Sequence, residues 1–215
     1  MNDNNKKLTG ILGYPLKQSL SPILQNYWIN KYNINSYYAP FAIKDIKNID
    51  KAIRILNVRG LNVTIPYKKK IIEYLDVLDK KAEKLEAVNT ILNTNGILKG
   101  YNTDVYGFEK GISILKKWNK KKPVVVLGAG GAAESIVYSL VTRACQNIYV
   151  MNRTYAKAKM LENKYKNVYS AKWLSYDIIN EASLLVNTTS LGMIGYPKLP
   201  LKLSNTSRER KKDKS

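Results

Sequence analysis

The sequence predicts an α/β fold built as two successive units, and three observations carry that prediction. Strand and helix signals alternate through the first half of the chain. In the second half the apolar run Val124-Val125-Val126 enters Leu127-Gly128-Ala129-Gly130-Gly131-Ala132-Ala133, after which Ile136, Val137 and Leu140 recur at helical spacing. That is the pattern of strand, glycine turn and helix. Between the halves lies Asn119-Lys120-Lys121-Lys122-Pro123, a polar stretch that reads as a linker.

The elements follow in chain order. Residues 8–14 form a strand ending in a turn, Ser21 caps and Pro22 opens a helix running to Tyr32, and residues 37–43 form a second strand. Asp45 caps a helix that sets Ile46, Ile49, Ile53 and Leu56 on one face. Residues 60–65 are a third strand, and Pro66 opens a helix carrying Ile71, Ile72 and Leu75. Strands at 89–92 and 97–99 flank Asn95-Gly96, a hairpin-turn signal. A helix from Asp104 to Trp118 leads into the linker, and four strands are expected beyond it, at Val124, Ile148, Val168 and Leu184.

The glycine turn has a physical purpose. Gly128 and Gly130 let backbone approach a pyrophosphate, Ala133 stands where a third small residue permits close helix packing, and the helix N-terminus offers amides and a positive dipole. The natural ligand of such a Rossmann-type unit is a dinucleotide. The next apolar run, Asn147-Ile148-Tyr149-Val150-Met151, ends where an NAD site would place an acidic residue, about 20 residues past the glycines. Asn152-Arg153-Thr154 stands there instead, with Lys157 downstream. An arginine, a hydroxyl and a lysine suit a ribose 2′-phosphate that a carboxylate would repel, so NADP is favoured over NAD. The plain alternative is that Arg153 and Lys157 are solvated charges at a helix start.

Composition narrows the function. The 215 residues are 45% hydrophobic, enough to bury a core. No apolar run is long enough to span a bilayer and the first seven residues are polar, so a cytoplasmic protein without a membrane partner is expected. One cysteine and no histidine exclude an internal disulfide, a histidine-based triad and a structural zinc site; no metal is expected. The net charge of +20 resembles the footprint of a nucleic-acid binder. The lysines are scattered instead, as at Lys47, Lys51, Lys80, Lys84, Lys116 and Lys117, without aromatic interleaving, and nucleic acid is not an expected partner.

A set of motifs occurs in order: Gly13-Tyr14-Pro15-Leu16 with Ser19-Leu20-Ser21-Pro22, Asn62-Val63-Thr64-Ile65-Pro66-Tyr67-Lys68, Ala87-Val88-Asn89-Thr90 and Gly100-Tyr101-Asn102-Thr103-Asp104. The glycine turn follows, then Asn152-Arg153-Thr154 and Asn187-Thr188-Thr189-Ser190-Leu191-Gly192-Met193. Together they resemble the shikimate dehydrogenase family. The resemblance implies an N-terminal substrate-binding domain at 1–103, a connecting helix and linker at 104–122, and a Rossmann-type NADP domain at 123–203, with a charged tail expected to be disordered at 204–215. It also implies an enzyme interconverting shikimate and 3-dehydroshikimate in chorismate and aromatic amino acid biosynthesis. The partner is then a small-molecule substrate, with a homodimer as an allowed assembly.

Oxidising a secondary alcohol requires hydride departure to a nicotinamide and removal of the hydroxyl proton by a base within hydrogen-bond reach. Without histidine, Lys68 is the leading candidate. Burial makes a lysine a better base, and a neighbouring carboxylate orients its amine. The resemblance implies that Lys68 and Asp104 act together. Read alone, Lys68-Lys69-Lys70 is a solvated first turn; the motif preceding it favours catalysis.

Shikimate carries a carboxylate and three hydroxyls, which calls for short hydroxyl and amide side chains. Ser19, Ser21, Thr64, Asn89 and Asp104, with Lys68, stand at positions where the resemblance implies substrate contacts. Each has a structural alternative: Ser21 as a helix cap, Asn89 as a partner of backbone groups, Thr64 as a buried hydroxyl within its strand. For the cofactor the resemblance adds Thr188, Ser190 and Met193 to residues 128–133, 152–154 and 157. Gln18 and Gln25 replace histidines common in the family, neither of which is the base. A six-stranded doubly wound domain should continue past the fourth strand, so the NADP domain is expected to be incomplete at the C-terminus. Three further readings stay open: a dehydrogenase acting on quinate as well as shikimate, a truncated, non-catalytic remnant that binds nucleotide, and, as a minor alternative, a basic nucleic-acid-associated protein that steeply salt-dependent binding would reveal.

Overall fold

The computed structural model describes residues 6–115 and 118–201. Lys116, Lys117 and the expected tail at 204–215 lie outside the described residues. The chain divides into two compact units, Met1–Thr103 and Asp104–Ser215. Among the described residues no helix is long and apolar enough to cross a membrane.

The first unit runs β1 (Lys7–Gly13), α1 (Ser21–Lys31), β2 (Ser36–Ala42), α2 (Ile49–Ile55), β3 (Gly60–Val63), a 3₁₀ turn (Lys70–Tyr74), β4 (Val77–Leu78), α3 (Lys80–Leu85), β5 (Thr90–Thr94) and β6 (Ile97–Tyr101). Its six strands lie in the order β2-β1-β3-β5-β6-β4. β1 pairs in parallel with β2 and β3, while β5 is antiparallel to β3 and β6. Alternation along the strands sends Leu12, Leu61, Val63, Ile91 and Leu98 to one face, where they meet Ile49 and Ile53 of α2 and Ile71. Each such burial stabilises by about 1.5–3 kcal/mol. Asn95 and Gly96 turn the hairpin with φ of 52° and 85°, the conformation that favours Asn-Gly.

Several expected elements are corrected. Ser21 is not the cap of α1: Leu20 holds that position without a side-chain bond, and the Ser19 hydroxyl accepts from the Ser21 amide at 3.4 Å. Asp45 does not cap α2. It closes the preceding turn by accepting from the Lys47 amide, and Asn48, at φ 60°, stands before Ile49. Leu56 lies beyond α2 and is exposed. The third strand stops at Val63, so Thr64 lies past it, half-buried. The helix expected from Pro66 tightens to the 3₁₀ turn, because Leu75 must extend to deliver β4 onto β6. β4 and α3 had no forecast; Asp79 caps α3 by accepting from the Ala82 amide at 2.8 Å.

The second unit runs α4 (Asp104–Ser113), β7 (Val124–Leu127), α5 (Gly131–Thr142), β8 (Ile148–Met151), α6 (Tyr155–Lys164), β9 (Val168–Ala171), α7 (Tyr176–Glu181) and β10 (Leu184–Asn187). α4 ends five residues before the expected Trp118. The four expected strands all form, parallel, in the order β10-β7-β8-β9. Val124, Val125, Val126 and Leu127 are buried on both faces, as a central parallel strand requires. Ala133, fully buried on α5, packs with Val124, Val126 and Val137.

Candidate active site

In the second unit the chain reverses direction of winding between β7 and β10, and the crevice beyond the strand ends at such a switch point is where α/β sheets bind ligands. A cleft of about 290 Å³ lies there. The turn after β7 contributes Gly128, Ala129 and Gly130; the loop after β8 contributes Asn152, Arg153 and Thr154, with Lys157 from α6. Thr188, Thr189 and Ser190 follow β10, and Trp173 follows β9. Arg153, Thr154 and Lys157 are exposed, which leaves their donors available to a phosphate. Gly131, Ala132 and Ala133 form the first turn of α5 behind the lining, and exposed Met193 sits in a turn past Ser190. Thr189 and Trp173 were missed in the sequence. Thr189 has the signal of its motif; Trp173 has none, since only the β8–β9 pairing brings it to the cleft.

The turn is rigid. Gly128 takes φ +105°, and its amide donates to the Met151 carbonyl at 2.8 Å. The Thr188 amide and hydroxyl both donate to the Leu127 carbonyl, at 2.8 and 2.7 Å, tying the β10 loop to the end of β7. The donor set fits NADP: glycine backbone opposite a pyrophosphate, cations and a hydroxyl where the ribose 2′-phosphate would lie.

In the first unit, the loop after β3 carries Lys68. The Thr64 amide donates to the Leu12 carbonyl at 2.9 Å, the Tyr67 hydroxyl donates to the Ile43 and Lys44 carbonyls at 2.8 and 2.9 Å, and the Lys68 carbonyl accepts from Val88 at 2.7 Å. Lys68 is half-buried, whereas Lys69 and Lys70 are exposed. The same Lys68–Val88 bond holds the loop just before β5, where Asn89 is a buried amide. Asn89 Oδ1 accepts from the Thr103 amide at 2.9 Å, and Nδ2 donates to Thr103 Oγ1 at 3.0 Å. Asn89 therefore does satisfy backbone, as its plain reading had it. Asp104, the next residue after Thr103, opens α4 in the second unit. Ser19 and Ser21 are half-buried at the start of α1.

A hydrogen-bonded chain that the sequence did not announce leads away from Asn89. Thr90 Oγ1 donates to Asn89 Oδ1 at 3.1 Å, Asn62 Nδ2 donates to Thr90 Oγ1 at 3.4 Å, and the Tyr38 hydroxyl donates to Asn62 Oδ1 at 2.7 Å. Burial pushes the Tyr38 hydroxyl up to about 12 from its ordinary 10.0. The native chain then keeps a proton that the unfolded chain loses, so this contribution to stability is complete below about pH 10 and is lost as pH rises toward 12. Tyr38→Phe is expected to flatten that alkaline loss in urea melts and to cost about 1 kcal/mol at neutral pH, since Asn62 Oδ1 loses its donor.

A parallel sheet of this order, with the glycine turn at its switch point, defines a dinucleotide-binding protein of the Rossmann type. Residues 11–91 match the family described as the shikimate dehydrogenase substrate binding domain, and residues 110–194 match shikimate / quinate 5-dehydrogenase. The shikimate dehydrogenase (NADP(+)) of Caldanaerobacter subterraneus subsp. tengcongensis is 40% identical over 198 residues, 89% of this chain and 71% of that protein. The crystal structure of shikimate dehydrogenase from Aquifex aeolicus superposes with a TM-score of 0.86 at 35% identity, covering 96% of this chain and 77% of that one. The Thermus thermophilus enzyme in complex with NADP(H) and shikimate gives 0.80 at 29% identity, covering 93% and 75%. The chain belongs to the shikimate dehydrogenase family.

Proposed function

We propose that this chain catalyses the NADP-dependent interconversion of shikimate and 3-dehydroshikimate, a cytoplasmic step of aromatic amino acid biosynthesis. The observation that carries the cofactor side is the single cleft that gathers the glycine turn with Arg153, Thr154 and Lys157. Residues 1–103 then serve the substrate and residues 123–203 the cofactor, with 104–122 connecting them. Bound NADP supplies the hydride acceptor for the alcohol carbon. Lys68 Nζ takes the hydroxyl proton as the ketone forms and returns it to the ketone oxygen in the reverse direction. Asp104 orients the lysine and the substrate hydroxyl. Ser19, Ser21, Thr64 and Asn89 offer hydroxyl and amide groups to the carboxylate and ring hydroxyls.

The test is NADPH formation from shikimate by the 215-residue chain, with NAD and quinate run in parallel. Turnover that needs NADP and shikimate is expected. Arg153→Ala should lower the preference for NADP over NAD about tenfold or more, because a charge-assisted bond to the 2′-phosphate is lost. Turnover of quinate alone would move the substrate assignment to that acid. Cofactor binding without turnover of either acid would leave a nucleotide-binding protein and overturn the enzymatic reading.

A further inference from the structure

We infer that Trp173 is the wall on which the adenine ring of the cofactor stacks, an inference that rests on the NADP reading above. The strand order supplies the first reason. The pyrophosphate turn follows β7 and the cationic loop Asn152-Arg153-Thr154 follows β8, while β9 lies next beyond β8. Strands stand about 4.8 Å apart, so stepping from β7 to β9 covers about 10 Å along the sheet edge. A dinucleotide with phosphates at Gly128 and its ribose phosphate at Arg153 therefore carries its purine toward the end of β9. The residue lining the cleft from that end is Trp173.

The second reason is how Trp173 is held. It is half-buried, packing in part on the cluster of Val125, Leu127 and Met151 while also lining the cleft. The turn that carries it is closed by the Ser175 amide donating to the Lys172 carbonyl at 3.2 Å. Leu174 occupies that turn at φ +54°, a left-handed conformation that a branched side chain adopts only under strain. Leu174 packs on the same cluster, which holds the strained turn in place. An indole anchored on one side and open on the other has the form of a stacking platform. Phosphate does not call for one; a flat heteroaromatic ring does.

Adenosine 2′,5′-bisphosphate, which lacks the nicotinamide half, separates this inference from catalysis. It is titrated into the intact chain and followed by calorimetry and by tryptophan emission, to which Trp28, Trp118 and Trp173 contribute. The unmodified chain should bind with a change in emission. Trp173→Phe should bind within about threefold of that affinity and lose the emission change, and Trp173→Ala should bind about tenfold more weakly. Persistence of the emission change in Trp173→Phe, or full affinity in a folded Trp173→Ala, would overturn the inference. The phenylalanine variant keeps a ring on the core cluster and decides the matter even if the alanine variant does not fold. Failure of the unmodified chain to bind the bisphosphate would overturn the NADP reading, and this inference with it.

Discussion

Replacing Lys68 with alanine is expected to lower kcat for shikimate oxidation by about 10²–10⁴-fold, the range set by loss of a positioned general base. Binding of adenosine 2′,5′-bisphosphate should not change, since Lys68 belongs to the first unit and the cofactor cleft to the second. The fold should also persist. The loop is fixed by backbone and by Tyr67: the Thr64 amide on Leu12, the Tyr67 amide on Thr64, the Tyr67 hydroxyl on Ile43 and Lys44, and the Lys68 carbonyl under Val88. None of these bonds uses the lysine side chain, so the urea midpoint should correspond to a change within about 1 kcal/mol. Lys69→Ala is the control, being one residue away and exposed. Equal rates for the Lys68 variant and the unmodified chain would remove Lys68 from the mechanism, whatever the fate of the rest of the assignment.

The second large effect is expected at Gly128. Gly128→Val combines two penalties at one position. The backbone sits at φ +105°, where a β-branched residue is strained by about 1–3 kcal/mol. An added Cβ would stand 2.4 Å from Thr188 Oγ1 and 3.1 Å from Thr189 Cγ2. Thr188 has little room to retreat, because both its amide and its hydroxyl are bonded to the Leu127 carbonyl. Overpacking of this kind adds about 1–3 kcal/mol, and calorimetry should show affinity for the bisphosphate falling about a hundredfold or more as the turn is displaced. Gly130 supplies the contrast. Its φ is −93° and a Cβ there meets nothing within 4 Å, so Gly130→Ala should melt as the unmodified chain does. A Gly128→Val chain with ordinary stability and ordinary bisphosphate affinity would show that the turn is not built as described.

The sequence was legible wherever a local rule decides the outcome. The four expected strands of the second unit all formed, and the clearest signal was that of β7, whose four apolar residues are buried on both faces as a central parallel strand requires. Asn95-Gly96 became a hairpin turn because those residues accept positive φ cheaply, and Gly128 met the same demand at the end of β7. Helix starts were less legible. Asp45 and Ser21 are both good caps in isolation, yet Asp45 is spent on a turn and Ser19 answers the Ser21 amide.

What the chain determined by itself is therefore its alternation of elements, its glycine turn and the cationic signature after β8, all set by spacing and backbone preference within short segments. The tertiary structure alone decided that Tyr38, Asn62, Thr90 and Asn89 form one hydrogen-bonded line, because they come from three strands, β2, β3 and β5, and the loop preceding β5. It alone formed the two-residue β4, which exists through its register with Lys99 and Gly100 of β6. It alone set Trp173 in the same cleft as the glycine turn and the Asn152–Thr154 loop, through the pairing of β9 with β8. Contacts of that kind depend on which strand lies beside which, and strand order is an outcome of packing the whole sheet rather than a property of any segment in it.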